Sequence, residues 1–342
     1  MSSTKTDPPS PQAELIQMAS DWPSRFLQVA VQLSLADHLA DGPRTSEELA
    51  RLTETHAPSL YRFLRGLASL GVIKEEEQGR FSLTPLGEPL KAGVPGSVRA
   101  VILLSANPIS TRSRDNLLYS IRTGKAGFEE AFGMPFFDWL ASHPDSEEAS
   151  TFSEVMVSVF GAEPPAVASA YDFSKFETIV DVGGATGNFL TAVLGRYPGP
   201  RGILFDMPHV VRDAPALIQA HGLADRIRIE AGSFFESVPS GGDAYILSHI
   251  IHDWSESKSL SILANCRRAM RADSRLLIVE MVLPSENIPF LGVRVDIGML
   301  VLNGGQERTE KEYSELLSKA GFRLTRTVPT ATASSVVEAF PV

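Results

Sequence analysis

The stretch TIVDVGGATGNFL, from Thr178 to Leu190, decides the fold of this 342-residue chain. An apolar run that ends in Asp181 predicts a buried strand, and the residues after Gly187 predict a helix. The glycines between them let the backbone turn sharply and let a ligand approach without a Cβ in the way. Ligands of open α/β sheets bind outside the carboxyl ends of the strands, so this turn is a candidate binding loop. A glycine-rich turn without a ligand is the alternative.

Four more apolar runs follow along the chain and alternate with helical stretches. They read GILFDMP, RIRIEAGSFF, AYILSHII and RLLIVEMVLP. This alternation is typical of βαβ units and predicts an α/β fold, with a parallel sheet covered by helices on both faces. The chain before it has mostly helical spacing. We therefore predict a disordered tail over residues 1–12, a helical domain over 13–165 and an α/β domain over 166–342.

The N-terminal part contains a winged-helix pattern. Thr45 and Glu48 form a predicted capping box at a helix start, and two short strands near 72–74 and 80–83 predict a small hairpin. Between Arg44 and Lys91 there are seven basic and seven acidic residues. A DNA reader needs a basic face, so a scaffold or dimerisation role is favoured over DNA binding.

Charge and composition narrow the choice of partners and compartment. A net charge of -10 disfavours nucleic acids and anionic membranes. No apolar run approaches the ~20 residues that span a bilayer, and the polar N-terminus lacks a signal-peptide pattern. One cysteine, Cys266, excludes an internal disulfide and a cysteine-based zinc site. These features favour a cytoplasmic protein without nucleic-acid or membrane partners.

The spacing of the binding loop indicates what kind of ligand it takes. It matches neither the dinucleotide fingerprint nor the phosphate-binding P-loop. Asp206 ends the second predicted strand, 19 residues after Gly187. A carboxylate there can accept hydrogen bonds from both hydroxyls of a ribose. Ribose binding without a pyrophosphate cradle suggests a nucleoside cofactor such as S-adenosylmethionine, although Asp206 could instead cap the following helix.

Two histidines lie at the end of a predicted strand, in YILSHIIHDWSES from Tyr245 to Ser257. Residues three apart on a strand point to opposite faces, so His249 and His252 are not expected to converge on one metal ion. His252, at the end of the strand, is either a catalytic base or a satisfied structural histidine, and an imidazole with a pKa near 6.5 suits a proton acceptor at neutral pH. Asp253, with Glu256 three residues later, predicts the cap of the next helix.

Six segments follow one another along the chain in the same order as in a known protein family. They are DVGGATGNFL, FDMPHVV, AGSFFESVP, LSHIIHDWSES, LLIVEMVLP and NGGQERTEKEYSELLSKAGF. Together they resemble the S-adenosylmethionine-dependent O-methyltransferases, the group that holds plant caffeate-type and bacterial antibiotic enzymes. The resemblance implies a Rossmann-like methyltransferase sheet at the C-terminus and a helical, winged-helix dimerisation domain at the N-terminus. It also implies a homodimer, S-adenosyl-L-methionine as cofactor, and an aromatic small-molecule hydroxyl acceptor from secondary metabolism.

The resemblance assigns a role to individual positions. His252 matches the general base, and Glu280 and Glu307 match the glutamates that flank it. The cofactor positions are Asp181, Gly183, Gly184, Asp206, Met207, Ser233, Phe234 and Ser248. The acceptor positions are Phe152, Met156, Met299 and Asn303. Ser233 and Ser248 depart from the plant pattern, which has Asp and Lys there. A same-fold protein that has lost methylation and a winged-helix ligand sensor are the alternatives. The methylation scheme requires no metal.

Overall fold

A computed structural model describes residues 10–94, 96–286 and 288–342, without the side chains of 157–160. The chain forms two compact units. The first runs up to Pro108 and includes Asp145–Val159, and the second comprises Ile109–Pro144 and Phe160–Val342. Of the predicted tail, residues 1–9 lie outside the description, whereas Pro11 begins the first helix. The functional division at residue 165 stays a prediction.

The helices of the described chain are numbered in chain order. They are α1 Pro11–Ala19, α2 Trp22–Gln32, α3 Leu35–His38, α4 Ser46–Leu52, α5 Ala57–Ser69, α6 Arg99–Ala106, α7 Pro108–Asp115, α8 Leu117–Thr123, α9 Gly127–Phe132, α10 Phe136–Ser142, α11 Glu147–Phe160, α12 Glu163–Ala170, α13 Asn188–Arg196, α14 Ala214–Ala220, α15 Glu256–Ala269, α16 Leu291–Leu302 and α17 Glu310–Lys319.

The strands are numbered in the same way. They are β1 Arg44–Thr45, β2 Ile73–Glu75, β3 Arg80–Leu83, β4 Thr178–Val182, β5 Arg201–Asp206, β6 Ile227–Ala231, β7 Ala244–Ser248, β8 Arg275–Leu283, β9 Arg308–Thr309, β10 Phe322–Pro329 and β11 Ser334–Pro341. Short 3₁₀ segments occur at Glu77–Gly79, Glu88–Leu90, Val211–Asp213 and Ile251–Asp253.

The first unit contains the predicted winged helix. The Thr45 hydroxyl accepts the Glu48 N–H at 3.2 Å, and the Glu48 carboxylate accepts the Thr45 N–H at 2.7 Å, so the predicted capping box is confirmed. Helices α4 and α5 follow, and β1, β3 and β2 form a small antiparallel sheet in that order. Leu64 and Phe81 are fully buried between helices and sheet.

The second unit is built on one sheet whose strand order is β10-β11-β8-β7-β4-β5-β6. Strands β4 to β8 pair in parallel, which confirms the α/β prediction. Beyond β8, strands β11 and β10 pair antiparallel at one edge. Apolar clusters lie on both faces of the sheet, and Cys266 is buried in one of them. Among the described residues, no helix is long and apolar enough to cross a membrane.

The connections of the sheet reverse direction beside β4. From β4 the chain proceeds to β5 and β6 on one side, and then crosses to β7 and β8 on the other. The carboxyl ends of β4 and β7 therefore diverge and leave a crevice, which is where open α/β sheets bind their ligands. The glycine loop follows β4 and the two histidines follow β7, so this topology brings the two sequence motifs to one edge.

Candidate active site

The glycine loop after β4 is bound to the end of β5 through Asp206. The two carboxylate oxygens of Asp206 accept hydrogen bonds from the N–H groups of Ala185, at 2.9 Å, and Met207, at 2.7 Å. Gly183 has a φ of +74°, and a Cβ there would lie 2.4 Å from Cδ1 of Ile250. Only glycine meets both conditions without strain. Asp206 is partly exposed, and each of its oxygens has a further lone pair with which to accept a hydroxyl.

Asp181 lies directly behind this loop. Its carboxylate is buried, and neither oxygen has a hydrogen bond of good geometry among the described residues, although the nearby backbone of Leu190 partly offsets the rise of its pKa. Burial, reinforced by the nearby charge of Asp206, raises the pKa of Asp181 to about 7. A Cβ on Gly184 would lie 2.5 Å from the Asp181 carboxylate, so Gly184 is glycine because this side chain packs against it.

The remaining predicted cofactor residues lie at the same edge of the sheet. Ser233 and Phe234 follow β6, Ser248 ends β7, and Met207 follows β5. The Phe234 carbonyl accepts the side-chain amide of Asn265 at 2.7 Å. This edge suits S-adenosylmethionine, because Asp206 can accept ribose hydroxyls and the uncompensated Asp181 carboxylate favours a cationic ligand.

His252 lies in the 3₁₀ turn Ile251–Asp253 and is held at two points. Its ring Nδ1 is 2.7 Å from Oε1 of Glu307, and its backbone N–H donates to Oε1 of Glu280 at 3.0 Å. The second oxygen of Glu280 accepts the hydroxyl of Tyr313. All of these side chains are buried. The two glutamates therefore have different tasks: Glu307 orients the ring, and Glu280 fixes the backbone beneath it.

The prediction that Asp253 caps the next helix is wrong. Helix α15 begins at Glu256 with Ser255 as its N-cap residue, because the 3₁₀ turn delays the helix start. Asp253 instead lies beside the histidine, with its Oδ1 3.7 Å from His252 Nε2. The same oxygen accepts the side-chain amide of Asn303 at 2.8 Å.

These carboxylates control the pKa of His252. Burial alone lowers it, but the negative charges of Asp253, Glu307 and Glu280 outweigh that effect and raise the pKa to about 10. Burial also raises the pKa of Asp253 to about 6, although the neighbouring His252 opposes the shift. The site therefore stabilises a proton on His252 strongly.

The prediction that His249 and His252 lie on opposite faces is also wrong. Strand β7 ends at Ser248, and His249 adopts the left-handed conformation with a φ of +54°. The chain turns there, and the two imidazole centroids are 5.2 Å apart. His249 Nε2 is 2.7 Å from Oε1 of Glu163. The described residues contain no group of three or more His, Cys, Asp or Glu that could hold a metal ion.

The loop after α16 closes over the backbone of His252. A Cβ on Gly305 would lie 1.9 Å from the His252 carbonyl oxygen, and the Gln306 N–H donates to that oxygen at 2.8 Å. The Asp296 carboxylate accepts the Glu307 N–H at 2.9 Å. Of the predicted acceptor residues, Met299 lies on α16 and Asn303 follows it. Phe152 and Met156 lie on α11 in the first unit, and all four roles stay predictions.

A sheet of this order, with a glycine loop after its first parallel strand and an acidic residue ending the next, defines a Rossmann-like methyltransferase. Comparison with known proteins gives the family. The O-methyltransferase domain profile matches residues 115–323, and the O-methyltransferase dimerisation domain profile matches residues 17–91. The chain belongs to the O-methyltransferase family, and its cofactor is S-adenosylmethionine.

Several relatives are similar over nearly their whole length. Phenazine O-methyltransferase of Lysobacter antibioticus is 44% identical, over 96% of each chain. O-demethylpuromycin-O-methyltransferase of Streptomyces alboniger is 41% identical, over 93% of this chain and 86% of that one. A crystal structure of an O-methyltransferase from neocarzinostatin biosynthesis, complexed with S-adenosylmethionine and 2-hydroxy-5-methyl naphthoic acid, is 30% identical. It has a TM-score of 0.83, over 96% of this chain and 98% of that one.

Sequence reasoning missed three residues that support this site. The Asp296 carboxylate accepts the backbone N–H of Glu307, the Tyr313 hydroxyl donates to Glu280, and the Glu163 carboxylate contacts the ring of His249. Each is between 11 and 86 residues from its partner in the chain, so no local pattern pairs them. Tyr313 had a weak signal, since it lies in the apolar stripe of α17 with Leu316 and Leu317. A buried tyrosine hydroxyl generally requires a partner.

Proposed function

We propose that this O-methyltransferase methylates a hydroxyl of a phenolic or other aromatic small molecule of secondary metabolism, with His252 as general base. The observation that carries the proposal is the 2.7 Å contact between His252 Nδ1 and the buried Glu307 carboxylate. Nδ1 donates to that carboxylate, so the lone pair of the neutral ring lies on Nε2. The relatives named for phenazine and puromycin substrates support an aromatic acceptor.

The residues around His252 suit proton removal from a phenol. A phenol has a pKa of ~10 and is mostly protonated at neutral pH. The raised pKa of His252, about 10, is close to that value. The small neutral fraction of His252 present at neutral pH therefore takes the proton from the acceptor oxygen onto Nε2 at little free-energy cost. Bound S-adenosylmethionine supplies the methyl group. Asp181, Gly183, Gly184, Asp206, Met207, Ser233, Phe234 and Ser248 are the residues proposed to hold it.

The second contribution of the protein to catalysis is that it holds the base in a fixed position. Glu280 and Gln306 fix the backbone of His252 on both sides, through its N–H and its carbonyl. A base held in this way needs no reorganisation when the acceptor binds, and holding reactants in line contributes much of an enzyme's rate. Met299, Asn303, Phe152 and Met156 are proposed to line the acceptor pocket.

The test is a pair of measurements on His252→Ala. Methylation of a panel of phenols, flavonoids, phenazines and polyketides, detected by mass, should fall by at least about 10²-fold. Calorimetry should show unchanged S-adenosylmethionine binding. The exposed His221, at the end of α14, provides the control His221→Ala. Retained turnover in His252→Ala excludes the base role, and a wild-type protein that releases no S-adenosylhomocysteine with the panel excludes methylation.

We also propose that the protein is a homodimer, because residues 17–91 match a dimerisation domain. Light scattering should give about twice the chain mass of 37.0 kDa. A monomeric mass at micromolar concentration contradicts this proposal and leaves the methylation proposal untouched.

A further inference from the structure

A second histidine and glutamate pair lies beside the first, and the proposed function does not use it. His249 Nε2 is 2.7 Å from Oε1 of Glu163, whose other oxygen accepts the hydroxyl of Ser334. Glu163 is 4% exposed and Ser334 is 1% exposed. These residues come from the turn after β7, the start of α12 and the start of β11. A buried carboxylate is costly unless it is hydrogen-bonded, and both oxygens of Glu163 have a donor.

The backbone is strained to bring this pair to the site. A left-handed conformation is strained for a residue other than glycine, and His249 adopts it with a φ of +54°. The result is a separation of 5.2 Å between the centroids of the His249 and His252 rings. Strain of this kind is typically found where a functional arrangement requires it.

The hydrogen bonds determine which nitrogens can exchange a proton. Each imidazole gives one N–H to a buried glutamate: His252 through Nδ1 to Glu307, and His249 through Nε2 to Glu163. A neutral imidazole has one N–H, so the proton-accepting nitrogens are Nε2 of His252 and Nδ1 of His249. The two rings therefore form adjacent bases, each oriented from its far side by its own carboxylate.

Every turnover of the proposed reaction leaves a proton on His252 that must be removed. The side chain of His252 is 8% exposed and that of His249 is 15% exposed. The carboxylates around His252 raise its pKa to about 10, and a proton held so strongly leaves slowly to water. A second imidazole lies next to the first. Its side chain is the more exposed of the two, although its Nδ1 is itself buried, and it offers a first step outward for the proton.

We propose that His249 is the proton-relay partner of His252. After methylation, the N–H bond at His252 Nε2 breaks and an N–H bond forms at His249 Nδ1, directly or through one water, and His249 then releases the proton to solvent. No oxidant or further reactant takes part. Glu163 and Ser334 hold His249 in the tautomer that this transfer needs. The relay rests on the proposed role of His252 as base.

The test separates the first turnover from later ones. His249→Asn is suitable because asparagine tolerates the left-handed conformation. Rapid-quench assays use radiolabelled S-adenosylmethionine with 1-hydroxyphenazine, or with the panel acceptor that wild type methylates fastest. The first turnover should keep nearly its wild-type rate, whereas later turnovers should slow by about tenfold or more, which gives a product burst. Glu163→Gln should give the same burst, because it removes the charge that stabilises the N–H at His249 Nε2.

Chemical rescue separates a relay from a structural role. His249→Gly also tolerates the left-handed turn, and free imidazole should restore its later turnovers. A merely structural role slows the first turnover equally, with no burst and no rescue, and that result overturns the relay. His221→Asn is the control and should behave as wild type.

Two further comparisons keep the outcomes distinct. In cofactor-free protein with ¹⁵N-labelled histidine, NMR should show slower exchange of the His252 ring proton in His249→Asn. Equal exchange in wild type and variant counts against the relay. An inactive His252→Ala together with a His249→Asn variant that turns over normally overturns only the relay. An active His252→Ala overturns the proposed function itself.

Discussion

The charge on Glu307 acts directly on the proposed base, because this carboxylate hydrogen-bonds the ring of His252. Glu307 hydrogen-bonds Nδ1 of His252 and is among the carboxylates that raise its pKa to about 10. Glu307→Gln keeps an acceptor for Nδ1 but removes the charge. The pKa of His252 then falls, so the rising limb of kcat/KM against pH should move to lower pH. The plateau should drop by at least about tenfold, because the imidazolium that forms is less stabilised.

A pH profile of kcat/KM in wild type and Glu307→Gln measures both effects. The control is Glu310→Gln, an exposed residue in the first turn of α17. If the rising limb of the pH profile does not move in Glu307→Gln, the charge on Glu307 does not control the pKa of His252.

Tyr313 supports the site from one step further away. Its hydroxyl donates to Oε2 of Glu280 in the buried core, and Glu280 in turn accepts the His252 N–H. Tyr313→Phe leaves a buried carboxylate oxygen without its donor, which costs roughly 1–3 kcal/mol of unfolding free energy. Urea unfolding measures this loss. Tyr61→Phe is the matched control, because its hydroxyl bonds Glu75 at the surface and should lose far less. Equal losses would contradict the burial argument.

At the scale of elements, one prediction concerns two glycines in the segment from α16 to β9. A Cβ on Gly305 would lie 1.9 Å from the backbone oxygen of His252, whereas a Cβ on Gly298, within α16, has nothing within 4 Å. Gly305→Ala should therefore push the loop away from the base, with lower stability and turnover. Gly298→Ala should raise stability by up to about 1 kcal/mol, because alanine is the better helix former.

Thermal unfolding and methylation assays of both variants check this contrast. Two alanine variants with the same effect would show that the close approach at Gly305 does not constrain the loop.

Strands β4, β5, β7 and β8 were predictable from sequence because each carries a mostly apolar run and is largely buried on both faces. The edge strand β6 alternates apolar and charged residues and is only partly buried. The glycine loop and Asp206 followed from their positions at strand ends. The turn after β7 was not predictable: the pattern from Ala244 to Ile251 continues as a strand, but the structure bends at His249. That one left-handed residue moves both histidines to one side and delays α15. A tertiary contact accompanies this conformation, because His249 Nε2 lies 2.7 Å from Oε1 of Glu163, 86 positions away in the chain.

At the scale of the whole molecule, Asp181 should make stability depend on pH. Its pKa is raised from an ordinary 3.8 to about 7 in the fold. A carboxyl whose pKa is higher in the folded state contributes stability below its unfolded pKa, and that contribution is lost as pH rises through the folded pKa. Above pH 7 the fold therefore contains a buried carboxylate without a hydrogen bond of good geometry among the described residues. The expected window of decline lies between about pH 4 and pH 7.

Asp181→Asn removes this charge while keeping the shape of the side chain. The melting temperature of the variant should exceed that of wild type by an amount that grows from about pH 4 to about pH 7 and is constant above. Saturating S-adenosylmethionine should narrow the gap at pH 8, because a cationic ligand compensates the carboxylate in wild type. Melting curves with and without cofactor, at pH 4.5, 6 and 8, measure both effects. A gap that is independent of pH would mean that Asp181 does not change its ionisation on folding, and its cost would then be steric rather than electrostatic.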